Sequence, residues 1–324
     1  IQGQAGGHAQ ADEVAEKLRF FFIWEQDSTY QAYIRPSWGK YDILTIICDQ
    51  FWAIAYQWNK ILPEDKLPYF RGDWMKSHIL GEHGALCSLY KAHVPGSHGL
   101  SGDTDFNDGD FRSEGDSPAF LHTIPTGLRN MESPDFGGWG GRYVLIRENT
   151  WLDPVPVPDY TYPDGRWYTR SAWGRMYMRK VYPENQDKMR EYFEPLARLT
   201  VAIQYDFAAR ADWCVKSYED ANHPPVVKLS NALDLTVKPS SEIKLSAQGT
   251  NDPDGDKLSY HWFQYEEADT YNGTIQISNT EKQDVSFIVP EDAGSGETIH
   301  IICEVTDDGT PSLTRYKRVI IEIE

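Results

Sequence analysis

Between Arg112 and Tyr143 the sequence gathers the residue types that a sugar site uses. Glu114 and Asp116 open the stretch. Ser117 and Pro118 then read as the start of a helix with Phe120, Leu121, Ile124 and Leu128 on its apolar face. Gly137, Gly138, Trp139, Gly140 and Gly141 close it, a loop in which backbone comes close to a neighbour and one indole is displayed. Carboxylates at a helix mouth hold a metal ion or sugar hydroxyls, and an indole face stacks on the C–H face of a ring. The structural alternative is an N-cap plus a tryptophan buried in a tight loop; residue types alone leave both open.

The elements that would position this stretch read as an α/β domain. Residues 1–7 form a strand end and a glycine turn, and His8 to Leu18 a helix. Arg19 to Trp24 and Asp42 to Cys48 are continuous apolar runs of the kind found in buried parallel strands. Glu25, Gln26 and Asp27 follow the first run. Ligands of open α/β sheets sit beyond the carboxyl ends of strands, so these three are candidate substrate contacts. The alternative for Asp27 or Ser28 is an N-cap.

Two helical stretches are expected over 71–92, with Leu86, Leu89 and Tyr90 at core spacing. His83 is a further candidate ligand contact, or a structural histidine at a helix start. Residues 94–113 read as a polar loop, possible as a lid. Its acids alternate around an Asp-Gly turn, yet the run lacks the terminal Glu and the register of an EF-hand. Residues 142–147 read as a strand and 151–166 as a loop. Pro183 opens a long helix expected to end near Tyr218, with Phe193, Leu196, Leu199, Val201, Ile203, Phe207 and Trp213 at its apolar positions.

Asn222-His223-Pro224-Pro225 is a linker, because two prolines stop a helix. Beyond it the apolar period changes to two, over about seven short runs from Leu229 to Ile323. That pattern is a β-sandwich. Trp262 and Cys303 belong to its core, and Leu245 or Ala247 lies where a second cysteine would be needed for an inter-sheet disulfide. Asp252, Asp254 and Asp256, with Asp307 and Asp308, read either as Ca²⁺ ligands between loops or as plain turn chemistry.

A formal net charge of −18 over 324 residues argues against nucleic acid or anionic membrane as partner. It suits neutral ligands. Eleven Trp and nineteen Tyr supply either carbohydrate contacts or large cores. No apolar run is long enough to span a membrane. Cys48, Cys87, Cys214 and Cys303 are far apart, without a C-x-x-C pattern. They read as buried free thiols, with a disulfide left open. The chain starts at Ile1 without Met, so a preceding segment is expected.

Several stretches together resemble one family. E-G-D-S-P-A-F at 114–120, G-G-W-G-G-R-Y at 137–143, I-W-E-Q-D-S-T-Y at 23–30, R-G-D-W-M-K at 71–76, H-G-A-L at 83–86 and N-D-P-D-G-D-K-L-S-Y-H-W at 251–262 resemble bacterial cellulose-binding proteins. The resemblance implies a nucleoside-hydrolase-like α/β domain over 1–221, its sheet mostly parallel with helices on both faces and its N-terminal part lacking. An all-β immunoglobulin-like sandwich over 222–324 follows. It also implies a secreted or periplasmic protein whose partner is a polysaccharide, a small sugar or a nucleoside.

Gly115-Asp116-Ser117-Pro118-Ala119 is similar to the late His-Asp-Pro-Leu-Ala segment of nucleoside hydrolases, which places Asp116 on a Ca²⁺-binding carboxylate. Asp116 and Glu114 are thereby the candidate catalytic residues, and Glu25, Gln26, Asp27, Trp139 and His83 the candidate substrate contacts. Gly115 stands in place of the histidine associated with protonating the leaving base, and no early aspartate cluster precedes residue 100. Two functions follow: a protein that binds a glycan and hydrolyses a glycosidic or N-ribosyl bond, or a non-catalytic cellulose-binding protein. The sequence leaves the oligomeric state open.

Overall fold

A computed structural model describes residues 20–24, 44–48, 58–59, 61–89, 107, 109–111, 117–147, 150–152 and 193–324. The expected helix over 8–18 and the residues Glu25, Gln26, Asp27, Glu114 and Asp116 lie outside them. The chain divides into two compact units. The first comprises Ile1–Gly72, Ala92–Ile124 and Asn130–Thr200; the second comprises Asp73–Lys91, Pro125–Arg129 and Val201–Glu324. The second unit thus reaches back from residue 222 to take in 201–221 and two short upstream pieces.

In the first unit the two apolar runs form β1 (Phe20–Trp24) and β2 (Leu44–Cys48), paired in parallel from Phe20↔Leu44 to Trp24↔Cys48. The reading of 142–147 is met by β3 (Val144–Arg147). A strand expected as loop follows it, β4 (Thr150–Leu152). It pairs parallel with β2 and antiparallel with β3, giving the order β1-β2-β4-β3. The sheet is therefore mixed. Three residues are too few to show a period, so β4 leaves no pattern in the sequence.

The second unit opens with two short helices, α1 (Gly72–Met75), continued by a π turn over Lys76–Leu80, and α2 (Gly84–Leu89). Leu86, expected in the core, is 68% exposed, and Cys87 takes the buried position instead. In the first unit, Ser117 and Pro118 do open a helix, α3 (Ser117–Thr123). The long helix expected from Pro183 is described as a helical stretch over 193–197, a turn at 198–199, and α4 (Thr200–Trp213). Its buried positions within the second unit are Gln204, Asp206, Ala208, Ala209, Ala211 and Asp212, whereas Val201, Ile203 and Phe207 are half-buried. Small alanines let the helix approach closely, and each buried carboxylate carries its own cation.

Six strands complete the second unit: β5 (Asp234–Val237), β6 (Glu242–Ser246), β7 (Leu258–Gln264), β8 (Asp284–Ile288), β9 (Thr298–Asp307) and β10 (Thr314–Ile323). They form one sheet of order β5-β10-β9-β7 and a second of β6 and β8. Ile275 and Ile277, expected in a seventh strand, flank only an isolated bridge from Ser278 to Ser286. Alternation puts Ile243, Leu245, Val285 and Phe287 of the small sheet against Trp262, Ile299, Ile301, Val305, Val319 and Ile321 of the large one, in one buried core. Burying each such side chain contributes about 1.5–3 kcal/mol.

The other face of the large sheet is also covered. Arg318 is fully buried there, its Nε donating to Leu128 O at 2.7 Å and its guanidinium lying 4.7 Å over Tyr265. Arg315 donates to Asp206 of α4 at 2.8 Å, and Tyr316 N donates to Thr126 O. Gly127 has φ +97°, and a Cβ on it would lie 1.8 Å from Tyr316 O. Only glycine lets this turn pass so close to β10.

Candidate functional site

Helix α3 and the glycine loop are adjacent in the first unit. Gly140 packs on α3 so tightly that a Cβ would meet Pro118 O at 2.6 Å and the His122 backbone N at 2.8 Å. Asn130 Nδ2 donates to His122 O at 2.6 Å, and Gly138 and Gly141 exchange backbone hydrogen bonds. The loop thereby closes on the helix. Trp139 is 1% exposed, so the expectation of a displayed indole is corrected. The glycines that would present the ring are consumed in packing the loop, and the ring goes inward with it. Phe120, expected on the buried face of α3, is 53% exposed; Pro118, Leu121 and His122 are buried instead.

Sequence reading passed over His122. Burial pushes its imidazole down from the usual 6.5 to about 4, so it is neutral at physiological pH. Its ring lies 6.3 Å from that of Tyr143, whose hydroxyl donates to Gly140 O. A neutral buried imidazole suits a fixed part of a wall better than a proton carrier at neutral pH.

The acid run at 103–110 is described only at its end, and Asp110 there is a structural anchor. Its Oδ1 accepts from Gly72 N at 2.8 Å, and its Oδ2 accepts from Arg71 Nη1 at 3.0 Å and Asn107 N at 2.9 Å. Both oxygens are used within the first unit. Trp58 Nε1 donates to the next residue's carbonyl, Phe111 O, at 3.0 Å.

His83 stands in the second unit, hydrogen-bonded through Nε2 to Asp212 Oδ1 at 2.9 Å. Asp212 Oδ2 accepts from Lys216 Nζ at 2.9 Å. This arrangement pins the segment before α2 onto α4. The i,i+4 spacings Asp206–Arg210 and Asp212–Lys216 are visible in the sequence and could have revealed the buried carboxylates. Cys87 and Cys214 are neighbours in the same region: burial first, then Cys214, holds the Cys87 thiol above its usual range.

Among the described residues, one group of three could hold a metal ion: Asp252, Asp254 and Asp256, with ligand atoms all within 4.8 Å of one another. Turn chemistry is present too, because Asp252 Oδ1 accepts from Asp254 N and Asp256 N. Burial first, then the charges of Asp252, Asp308 and Asp254, push the Asp256 carboxyl up. Asp307 is raised by burial and by Asp252, against three hydrogen bonds that lower it. The three aspartates of the turn and the pair Asp307 and Asp308 therefore meet in one place.

No helix among the described residues is long and apolar enough to cross a membrane. Two family models match the chain. One, described as the nucleoside hydrolase-like domain of cellulose-binding Sde182, matches residues 3–143; the other, the C-terminal domain of cellulose-binding protein Sde0182, matches residues 242–323. No curated protein matches. Among solved structures, the chain is similar to a nucleoside hydrolase-related hypothetical protein from Saccharophagus degradans that is associated with carbohydrate metabolism. The identity is 25%, over 99% of this chain and 77% of that one, with a TM-score of 0.64. It is also similar to the PKD domain from the KIAA 1837 protein, at 17% identity over 31% of this chain and 89% of that one, with a TM-score of 0.23.

Proposed function

Because the chain belongs to the cellulose-binding Sde182 family, carrying its nucleoside hydrolase-like domain and its C-terminal domain in order, we propose that it binds a glycan outside the cytoplasm. The match of both domains, over 3–143 and 242–323, is the observation that carries this reading. The net charge of −18 agrees with it, since a neutral polysaccharide is not repelled as a polyanion would be. Export to the periplasm or the medium fits a partner that is an insoluble polymer. In this reading the C-terminal sheets form an immunoglobulin-like sandwich, supported by the single core that the two sheets share around Trp262.

The sugar contacts we assign are Glu25, Gln26 and Asp27 after β1, with Glu114 and Asp116 ahead of α3. The nucleoside hydrolase-like match favours a second, catalytic form, in which a glycosidic or N-ribosyl bond is hydrolysed. Carboxylates in that position stabilise an oxocarbenium-like transition state. A calcium ion on Asp116 belongs to this form. Asp116 lies outside the described residues, and no aspartate cluster precedes residue 100 to supply further carboxylates.

The test is a panel of cellulose, chitin, soluble β-glucans and nucleosides, scored for binding and for released reducing ends or free base. Binding with product release by the wild type, the release being lost in the Glu114→Gln/Asp116→Asn double variant, is the result expected of the catalytic form. Binding without product supports the non-catalytic form. No binding to any member removes the proposal.

A further inference from the structure

The turn at 251–256 and the loop at 307–311 bury oxygen atoms that no hydrogen bond uses. Asp307 is 3% exposed. Its Oδ1 accepts from Leu313 N at 2.8 Å, Gly309 N at 3.1 Å and Asn222 Nδ2 at 3.1 Å, while its Oδ2 is buried without a partner. Asp252 repeats the pattern: Oδ1 accepts from two backbone N–H groups at 2.8 and 3.2 Å, and Oδ2 is buried without a partner. Asn222 is 7% exposed; its Nδ2 donates to Asp307 and to Pro311 O at 2.7 Å, and its Oδ1 is buried without a partner.

Each side chain is thus fixed by one atom and leaves another unused. A buried polar atom left unsatisfied costs about 1–3 kcal/mol. Three of them beside further carboxylates need a positive charge rather than another donor. Asp256 is held in the same cluster, because a Cβ on Gly309 would lie 2.4 Å from Asp256 Oδ2 and 2.3 Å from Asn222 Nδ2. Asp308 Oδ1 accepts from Lys257 N at 2.9 Å, which ties the loop to the turn. His223 touches the cluster through its Nδ1, 3.0 Å from Asp254 Oδ1.

We propose that Asp252, Asp254 and Asp256, with the unused Asp307 Oδ2 and Asn222 Oδ1 beside them, bind one calcium ion that clasps the turn at 251–256 and the loop at 307–311 to the segment following α4. The donors are all oxygen, from carboxylates and an amide, without sulfur; that set suits a hard cation and the loose geometry of calcium. Asp308 adds charge at the rim. The segment after α4 is already placed for this, with Trp213 Nε1 donating to Asn222 O at 2.8 Å. All of these donors belong to the second unit.

The experiment is calorimetric titration of calcium chloride into the metal-stripped full-length chain, with thermal melting with and without calcium. The expected result is one saturable site and a higher midpoint with calcium, because a ligand bound only by the folded state stabilises it. Asp252→Asn and Asp256→Asn should each weaken binding tenfold or more, and their circular dichroism in chelator should match the wild type. A wild type that neither binds nor gains stability at millimolar calcium overturns the proposal. So does binding unchanged in both variants, binding lost instead in Asp116→Ala, or magnesium replacing calcium at equal concentration.

Discussion

Asn222 and Asp307 are joined by a buried hydrogen bond of 3.1 Å, although 85 residues separate them in the sequence. The bond fastens the first residue of the linker to the last residue of β9, and the same amide reaches Pro311 O at 2.7 Å. Replacing Asn222 by Ala leaves Pro311 O and part of Asp307 unsatisfied. The expected loss is about 1–3 kcal/mol in chelator, read from urea unfolding. A loss below about 0.5 kcal/mol would mean that these bonds are not holding the junction.

His122 predicts an acid-sensitive first unit. Its folded-state value of about 4 lies below the ordinary 6.5, so the unfolded chain binds the proton more readily. The stability present above pH 6.5 is therefore lost as the pH falls towards 4, by on the order of 3 kcal/mol. His122→Gln should have lower stability at pH 7 and a flatter profile between pH 7 and 4.5 than the wild type. Parallel profiles would contradict this.

Gly140 predicts a steric cost unrelated to backbone angle. A methyl group there meets Pro118 O at 2.6 Å, so Gly140→Ala must push the loop away from α3. The expected destabilisation is about 1–3 kcal/mol. Alanine at Gly249, where a Cβ meets nothing within 4 Å but φ is +93°, isolates the backbone contribution for comparison.

The thiols should react in a fixed order. Cys214 is exposed, Cys87 is buried and raised, and burial pushes Cys303 up to about 12. Limited alkylation at pH 8, followed by peptide mass mapping, should label Cys214 first and Cys303 only after unfolding. Early labelling of Cys303 would mean that the core around it opens readily.

Where a signal was repeated, the sequence was legible. The apolar runs before Glu25 and Asp49 gave β1 and β2, and the two-residue period after the linker gave β5 to β10 except at Ile275–Ile277. Trp262 and Cys303 do fall in the core, directly opposite each other on β7 and β9. The misreadings share a cause, namely that burial depends on partners distant in the chain. Trp139 looked displayed because its glycines look like exposure, yet they serve close packing on α3. Asp206 and Asp212 went unnoticed on α4 because their partners Arg315 and His83 arrive from far away in the chain. The Asp252 cluster was visible as a motif, but not the unused oxygens of Asn222 and Asp307.

The most direct test of the glycan-binding account is an equilibrium depletion isotherm of the full-length chain on insoluble cellulose, with soluble cello-oligosaccharide as competitor. The account predicts saturable depletion that the competitor reverses, reduced at least tenfold when Glu25, Asp27, Glu114 and Asp116 are replaced together by their amides. Depletion no greater than that of an inert control protein, or binding that the competitor leaves unchanged, would contradict it.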